Sequence, residues 1–171
     1  IYHKSKVLYG IYFAKNAISK FDKCYLVEGY TDVLSFHQSG IENVVASSGT
    51  SLTVDQIRLI KRFTPNVTII YDGDQAGLKA SFRGIDMVLE EGFNVKVVPL
   101  PDGEDPDSFA RKNNAETTLA FITAHEADFI SFKTSLLRKD AETDPIRRAG
   151  LITEIVRTIS VIPESIARSV Y

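Results

Sequence analysis

The feature that most constrains the fold is an alternation of short apolar runs with amphipathic stretches over residues 21–112. The apolar runs are rich in β-branched residues and occupy residues 24–27, 44–46, 67–71 and 95–98. Such runs are typical of buried parallel strands. Between them, Thr53 and Gln56 have capping-box spacing, and Ile57 and Ile60 then recur on one helical face. Strand, helix and strand in this order predict the α/β class, with a parallel four-stranded sheet flanked by helices.

After Asp107 the sequence shows no further strand pattern. Helical patterns cover residues 116–124, 126–138 and 145–159. Asp144 followed by Pro145 predicts an N-cap and a first helical turn, and Pro163 ends or kinks the last helix. We therefore predict that the α/β part is followed by a small helical subdomain over residues 113–171.

Composition excludes some classes of protein and leaves others open. The formal net charge of -2 gives no sign of nucleic-acid binding, but it does not exclude binding, because local placement of charge decides it. Cys24 is the only cysteine, which excludes a disulfide framework and a cysteine-rich zinc site and fits a reducing cytoplasm. No apolar run is long enough to span a bilayer. The chain begins at Ile1 without a start-like feature, and we expect it to be a piece of a longer protein.

Three groups of acidic residues carry the chemistry of this sequence. Each group follows a predicted strand. Glu28 and Asp32 follow the first strand, Asp72 and Asp74 follow the third, and Asp105 and Asp107 follow the fourth. Open α/β sheets bind their ligands at this carboxyl edge. If the first and third strands are neighbours, Glu28 meets Asp72 and Asp74 there. Crowded carboxylates raise each other's pKa values, so a hard divalent cation is their simplest partner.

Some of these acids have a simpler explanation as turn or cap residues. Asp32 and Asp74 stand where helices are predicted to begin, and aspartate is a favoured N-cap. Asp105 precedes Pro106, as in an ordinary turn or cap. Glu28 is harder to explain in this way, because a glutamate at the inner end of an apolar strand needs a partner. Three groups at one edge favour a metal site, where two ions could stabilise the attacking and leaving oxygens of an in-line displacement.

Other phosphate-binding patterns are weak or missing. The sequence has no G-x-x-x-x-G-K-[ST] loop, which excludes a P-loop ATPase. Residues 47–50 follow the second predicted strand at the same edge. They could contact a phosphate or a ribose, or they could form a plain polar turn.

A glutamate after one strand and an Asp-x-Asp after a later one resemble the signature of the Toprim domain. That fold is shared by bacterial primases, topoisomerases and several nucleases and recombination proteins. Longer phrases resemble bacterial (DnaG-type) primases in order and spacing: residues 3–5, 8–10, 26–33, 46–50, 71–77 and 100–107. The resemblance covers residues 2 to about 112 closely and the helical part loosely. Thr31 stands where the family often has methionine, at a position not expected to bind metal.

The resemblance implies a role for each acidic group. Glu28, Asp72 and Asp74 are expected as the inner metal-binding acids, and Asp32, Asp105 and Asp107 as the rest of the acidic site, with Lys4 placed against a phosphate. The cofactor implied is Mg²⁺ or Mn²⁺, and zinc is expected only in a module outside this chain. Residues 1–20 would end a preceding polymerase-core subdomain, and residues 21–112 would form the Toprim metal-binding domain.

The reaction implied is RNA primer synthesis, in which a ribonucleotide 3'-hydroxyl attacks the α-phosphate of the next ribonucleoside triphosphate on a single-stranded DNA template. A replicative helicase and a single-strand-binding protein are expected partners through parts not in this chain. The expected location is the nucleoid-associated replisome in the bacterial cytoplasm, with no membrane contact. We expect the isolated chain to fold and to hold metal without making primers.

Two alternatives remain open at this point. A haloacid-dehalogenase-like phosphatase would also place an Asp-x-Asp after an apolar strand, with Asp72 as nucleophile. It would not explain Glu28 or the third acidic group. The other alternative is a non-catalytic Toprim module that only binds nucleic acid or protein.

Overall fold

A central sheet carries the fold of the part of the chain that this computed structural model describes, residues 3–47, 52–72, 75–140 and 144–171. Its strands are β1 (Cys24–Val27), β2 (Val44–Ala46), β3 (Asn66–Tyr71), β4 (Asn94–Pro99) and β5 (Ala127–Asp128). Their order across the sheet is β2-β1-β3-β4-β5, and the first four are parallel. The predicted α/β class and the four predicted strands are confirmed.

Helices cover the sheet and continue beyond it. They are α1 (Ile11–Phe21), α2 (Tyr30–Gln38), α3 (Val54–Lys61), α4 (Gln75–Glu90), α5 (Pro106–Lys112), α6 (Ala115–His125), α7 (Phe129–Asp140), α8 (Pro145–Ser160) and α9 (Ser165–Val170), preceded by a 3-10 turn at Lys4–Lys6. The predicted capping box of α3 is confirmed, because Gln56 N donates to Thr53 Oγ1 and Thr53 N donates to Gln56 Oε1. The predicted start of α8 is also confirmed, since Ile146 N donates to Asp144 Oδ1 over 2.9 Å.

The fifth strand corrects the prediction that strands stop after Asp107 and that a helix runs through residues 126–138. β5 pairs antiparallel with β4, and α7 begins only at Phe129. Two residues are too few to show an alternating pattern. Glu126, just before β5, accepts hydrogen bonds from Lys23 (3.0 Å) and Lys96 (2.6 Å). Burial raises the pKa of Glu126, but these hydrogen bonds outweigh burial and hold the pKa below its ordinary value of 4.5.

The core lies on both faces of the sheet. Cys24 and Leu26 belong to one buried cluster, whereas Tyr25 and Val27 belong to the other. Because successive strand residues point to opposite faces, a strand covered on both sides must be apolar throughout, as β1 is. Phe129, from the part of the chain after β4, lies in the first cluster. Of the helices described, none is long and apolar enough to cross a membrane.

The segment before α1 runs along the outer edge of the sheet. Tyr9 and Ala46, the last residue of β2, exchange two backbone hydrogen bonds of 2.9 and 3.1 Å. Gly10 then turns the chain into α1 with a φ of +83°, and a Cβ there would lie 2.9 Å from Val33 Cγ1. Only glycine suits this close approach in the left-handed region. The turn therefore keeps the residues before it beside the carboxyl end of β2.

Candidate active site

The carboxyl edge of the sheet brings two of the predicted acids together. β1 and β3 are neighbours, with Leu26 opposite Ile69. Glu28 is the first residue after β1 and Asp72 the first after β3, so both stand at the same edge. The expectation that these two strands are adjacent is confirmed.

The acids at this edge influence each other's ionisation. Glu28 is exposed at this edge, but partial loss of hydration raises its pKa, and the negative charge of Asp72 raises it further. Burial also raises the pKa of Asp32, and the charges of Asp72 and Asp105 add to this effect, whereas a hydrogen bond from Gly29 opposes it. The carboxyl groups of Glu28, Asp32, Asp72 and Asp105, from three segments of the chain, therefore share one electrostatic environment. Such a group is stabilised by a cation.

Asp32 is held in place by the first turn of α2. Gly29 is the N-cap of this helix, and Asp32 stands at its third position, so the interpretation of Asp32 as the N-cap itself is wrong. Its Oδ2 accepts a hydrogen bond from Gly29 N over 2.8 Å, and the backbone of Asp107 donates another. The residue is only 7% exposed. Backbone donors at the starts of α2 and α5 therefore orient this carboxylate.

The third acidic group begins α5. Asp105 is its N-cap, as the alternative explanation predicted, and Asp105 Oδ1 accepts from Ser108 N over 2.6 Å. Asp107 accepts a short hydrogen bond from Ser35 Oγ and forms an ion pair with Arg111, with 2.9 Å between Nε and Oδ1. The carboxylate of Asp107 thus already has two protein partners, and the hydrogen bond from Ser35 joins α5 to α2.

Lys4 lies in a different segment from the acids, and some predicted residues fall outside the described ranges. Asp74 and residues 48–50 lie outside the described residues. Lys4 is exposed in the 3-10 turn, and its backbone oxygen accepts a hydrogen bond from Gln56 Nε2 over 3.1 Å. Within the described ranges, no three His, Cys, Asp or Glu side chains are arranged to hold a metal ion. The fit to a divalent cation therefore rests on the chemistry of the carboxylates and on their mutual effect on pKa.

A positively charged segment at residues 3–21 was missed in the sequence analysis. Residues 3–21 contain no acidic residue and four lysines: Lys4, Lys6, Lys15 and Lys20. On α1, Tyr12 and Phe13 are 71% and 75% exposed, and Lys15 Nζ lies 4.6 Å from the centre of the Tyr12 ring. The net charge of the whole chain conceals this segment. Counting charges by segment would have found it.

Comparisons with known proteins agree with this geometry. The Toprim-like family matches residues 25–110. A DNA primase of Clostridium acetobutylicum is 41% identical over 97% of the chain and 27% of its own length. A crystal structure of a DNA primase domain from Pseudomonas aeruginosa superposes with a TM-score of 0.88 at 33% identity, covering 99% of this chain and 54% of that one. A DnaG primase catalytic domain bound to single-stranded DNA gives a TM-score of 0.84 at 36% identity, over 98% and 55%.

The chain therefore spans about a quarter of the length of the curated primase and about half of each solved structure. The similarity extends over the sheet, the acidic edge and the helices that follow. The chain belongs to the Toprim-like family, and over nearly its whole length it is similar to bacterial DNA primases.

Proposed function

We propose that this chain provides the metal-binding acids of an enzyme that synthesises RNA primers on single-stranded DNA from ribonucleoside triphosphates. The observation that carries the proposal is the meeting of Glu28, Asp72 and Asp32 at the carboxyl edge of a Toprim-like sheet. The similarity to DNA primases supports the reaction class. Because the primases are longer, polymerisation is proposed for the whole protein and not for this chain alone.

Each acid has a proposed part in binding Mg²⁺ or Mn²⁺. Glu28, Asp72 and Asp74 would be the inner ligands, and Asp32 and Asp105 would complete the site. Divalent metal use is general in this family. The bound cation would neutralise phosphate charge and stabilise the attacking and leaving oxygens of an in-line displacement. Asp107 would contribute through its backbone N–H, which orients Asp32, as well as through its charge.

Template and triphosphate binding would involve the positive segment at residues 3–21. Lys4 is proposed to contact a phosphate. Lysines interleaved with exposed aromatic rings are typical of surfaces that bind single-stranded nucleic acid, and one similar primase structure contains single-stranded DNA. We propose that residues 1–20 end a preceding polymerase-core subdomain and that residues 21–112 form the metal-binding domain. Residues 113–171 would form a mostly helical subdomain that adds β5 to the sheet and shares its core.

Other parts of the protein would contact a replicative helicase and a single-strand-binding protein and would hold zinc. The proposed setting is the replisome at the bacterial nucleoid. The chain alone would fold and bind metal without making primers, because orienting two reactants and a template can be worth about 7–11 kcal/mol of barrier, and a template groove needs more surface than this chain offers.

Primer synthesis by a full-length primase that contains this chain tests the proposal. With labelled ribonucleotides, Mg²⁺ and single-stranded template, Asp72→Asn should lower the rate about 100-fold or more, because charge stabilisation at the reacting phosphate is lost. Lys4→Ala should also reduce the rate. Glu42→Gln, an exposed acid at the opposite end of β2, serves as the control. An active Asp72→Asn enzyme would refute the assignment.

The alternatives predict different results. A non-catalytic module would bind DNA equally well in wild type and Asp72→Asn and would bind no metal. A phosphatase would form a phospho-aspartate at Asp72 that a fluoride analogue could trap. The similarity to primases over nearly the whole chain does not favour the phosphatase.

A further inference from the structure

Gln56 is a fully enclosed polar side chain close to the carboxyl edge of the sheet. It is 0% exposed. Its Oε1 accepts from Thr53 N over 3.1 Å, which completes the capping box of α3. Its Nε2 donates to Lys4 O over 3.1 Å and to Val7 O over 2.9 Å, with a longer contact of 3.4 Å to Ser47 O. One carboxamide therefore joins α3 to two other segments.

Helix capping accounts for only one of these four contacts. A capping box needs an acceptor at this position, and glutamate serves there as well as glutamine. The three carbonyl oxygens around Nε2 need a donor, which glutamate lacks at neutral pH. Two of them lie 52 and 49 residues away along the chain. The choice of glutamine is therefore explained by the long-range contacts and not by the cap.

These contacts hold the segment that carries Lys4. Thr53 Oγ1 adds a hydrogen bond of 2.6 Å to Ser5 O, so the start of α3 binds this segment at three carbonyl oxygens. On the other side, Tyr9 is bonded to Ala46 of β2. The segment between residues 4 and 9 is thus fixed at both ends.

The same segment is linked to the acidic edge. The Tyr9 ring packs edge-on against the ring of Tyr30, with 4.7 Å between ring centres. Tyr30 is the first residue of α2 and follows Glu28 by two positions. Ser47, the third acceptor of Gln56, is the first residue after β2 at this edge. Gln56 therefore joins both the Lys4 segment and the residue after β2 to one rigid helix start.

We propose that Gln56 is a positioning residue that sets where the backbone of Lys4 and Ser47 stands at the edge of the active site. It acts through these backbone groups and does not touch substrate. Its effect on activity rests on the proposed function of Lys4, whereas its effect on the backbone does not. The two effects are therefore tested separately.

Gln56→Glu separates the cap from the long-range contacts. The glutamate carboxylate can still accept the hydrogen bond from Thr53 N, but its second oxygen replaces the Nε2 donor and faces three carbonyl oxygens that it repels. Hydrogen exchange of this chain should then show the Tyr9 amide, which is bonded to Ala46 O, exchanging about tenfold faster or more, since its segment opens more often. The Ile57 amide, bonded to Thr53 O inside α3, should change far less.

Two further variants complete the experiment. Asp55→Ala removes only an acidic residue from the first turn of α3 and should leave exchange at Tyr9 unchanged. Gln56→Met removes both sets of hydrogen bonds without burying a charge, and it tests whether Gln56 holds the Lys4 segment at all if the glutamate variant does not fold. Unchanged exchange at Tyr9 in Gln56→Met, or equal acceleration in Asp55→Ala, would overturn the proposal.

The effect on activity is measured in a full-length primase that contains this chain. Gln56→Met should raise the KM for ribonucleoside triphosphates about tenfold with a smaller effect on kcat, as expected for a displaced binding residue. Lys4→Ala should add little in the Gln56→Met background, because the two changes disturb one contact. Fully multiplicative effects would contradict positioning through Lys4. No effect of Lys4→Ala in wild type would instead refute the proposed role of Lys4, and the exchange data would still decide the role of Gln56.

Discussion

Replacing Phe129 with alanine tests how the helices after residue 112 are joined to the sheet. Phe129 is 0% exposed, and its ring packs edge-on against Phe82 of α4 with 5.5 Å between ring centres. Truncating a buried phenylalanine to alanine costs about 3–5 kcal/mol. Loss of the aromatic pair, worth about 0.5–1.5 kcal/mol, places the expected loss in the upper half of that range. Because folded domains have a free energy of unfolding of only about 5–15 kcal/mol, the expected loss is a large fraction of the total stability.

The assay is urea unfolding of the 171-residue chain, followed by circular dichroism and by tyrosine fluorescence. Both signals should change in a single transition, because β5 and Phe129 belong to the same sheet and core as β1 and β3. Ile152→Ala, at a residue that is 59% exposed on α8, should change stability by no more than about 0.5 kcal/mol. A loss below about 1 kcal/mol for Phe129→Ala, or two separate transitions in wild type, would refute this account of the core.

Two further predictions concern stability. Because the folded pKa of Glu126 is lowered, its ionised form stabilises the fold at neutral pH, and this contribution disappears as the pH falls through the folded pKa. Glu126→Gln should therefore cost about 1–2 kcal/mol at pH 7, and this cost should shrink progressively as the pH falls below 4.5, as measured by urea unfolding. A cost that does not change with pH would contradict this. Gly10→Ala should lower the free energy of unfolding by at least about 1–2 kcal/mol, because Gly10 has a positive φ and an added Cβ would meet close contacts. Gly150→Ala, where an added Cβ has nothing within 4 Å, should be neutral or stabilising in the same assay. Equal effects of the two substitutions would contradict the assignment of strain to Gly10.

The parallel strands could be predicted because each is apolar throughout. Two of them, β1 and β2, begin and end at the residues that the sequence predicts. Burial on both faces produces this signal locally, so no knowledge of distant contacts is needed. β5 could not be predicted, because its two residues pair with β4 from a segment that carries a helical pattern. Its pairing with β4 and the contacts of the adjacent Glu126 with Lys23 and Lys96 all join residues that are distant in sequence.

In the candidate site, too, features that depend on neighbouring residues could be predicted, whereas features that depend on residues distant in sequence could not. The acids could be located because Glu28 and Asp72 directly follow strands whose carboxyl ends share an edge. The helix start at Gly29 was missed, because its cap lies in the backbone and in a side chain three residues later. The role of Gln56 was also missed, since spacing reveals its bond to Thr53 but not its bonds to Lys4.

The most direct test of the central claim is calorimetric titration of this chain with Mn²⁺. Wild type and the Glu42→Gln control should bind the ion equally well. Glu28→Gln and Asp72→Asn should each weaken binding at least about tenfold, because each removes a carboxylate from the shared edge. Equal Mn²⁺ affinity of wild type and Asp72→Asn would contradict the assignment of the metal site to the carboxyl edge of the sheet.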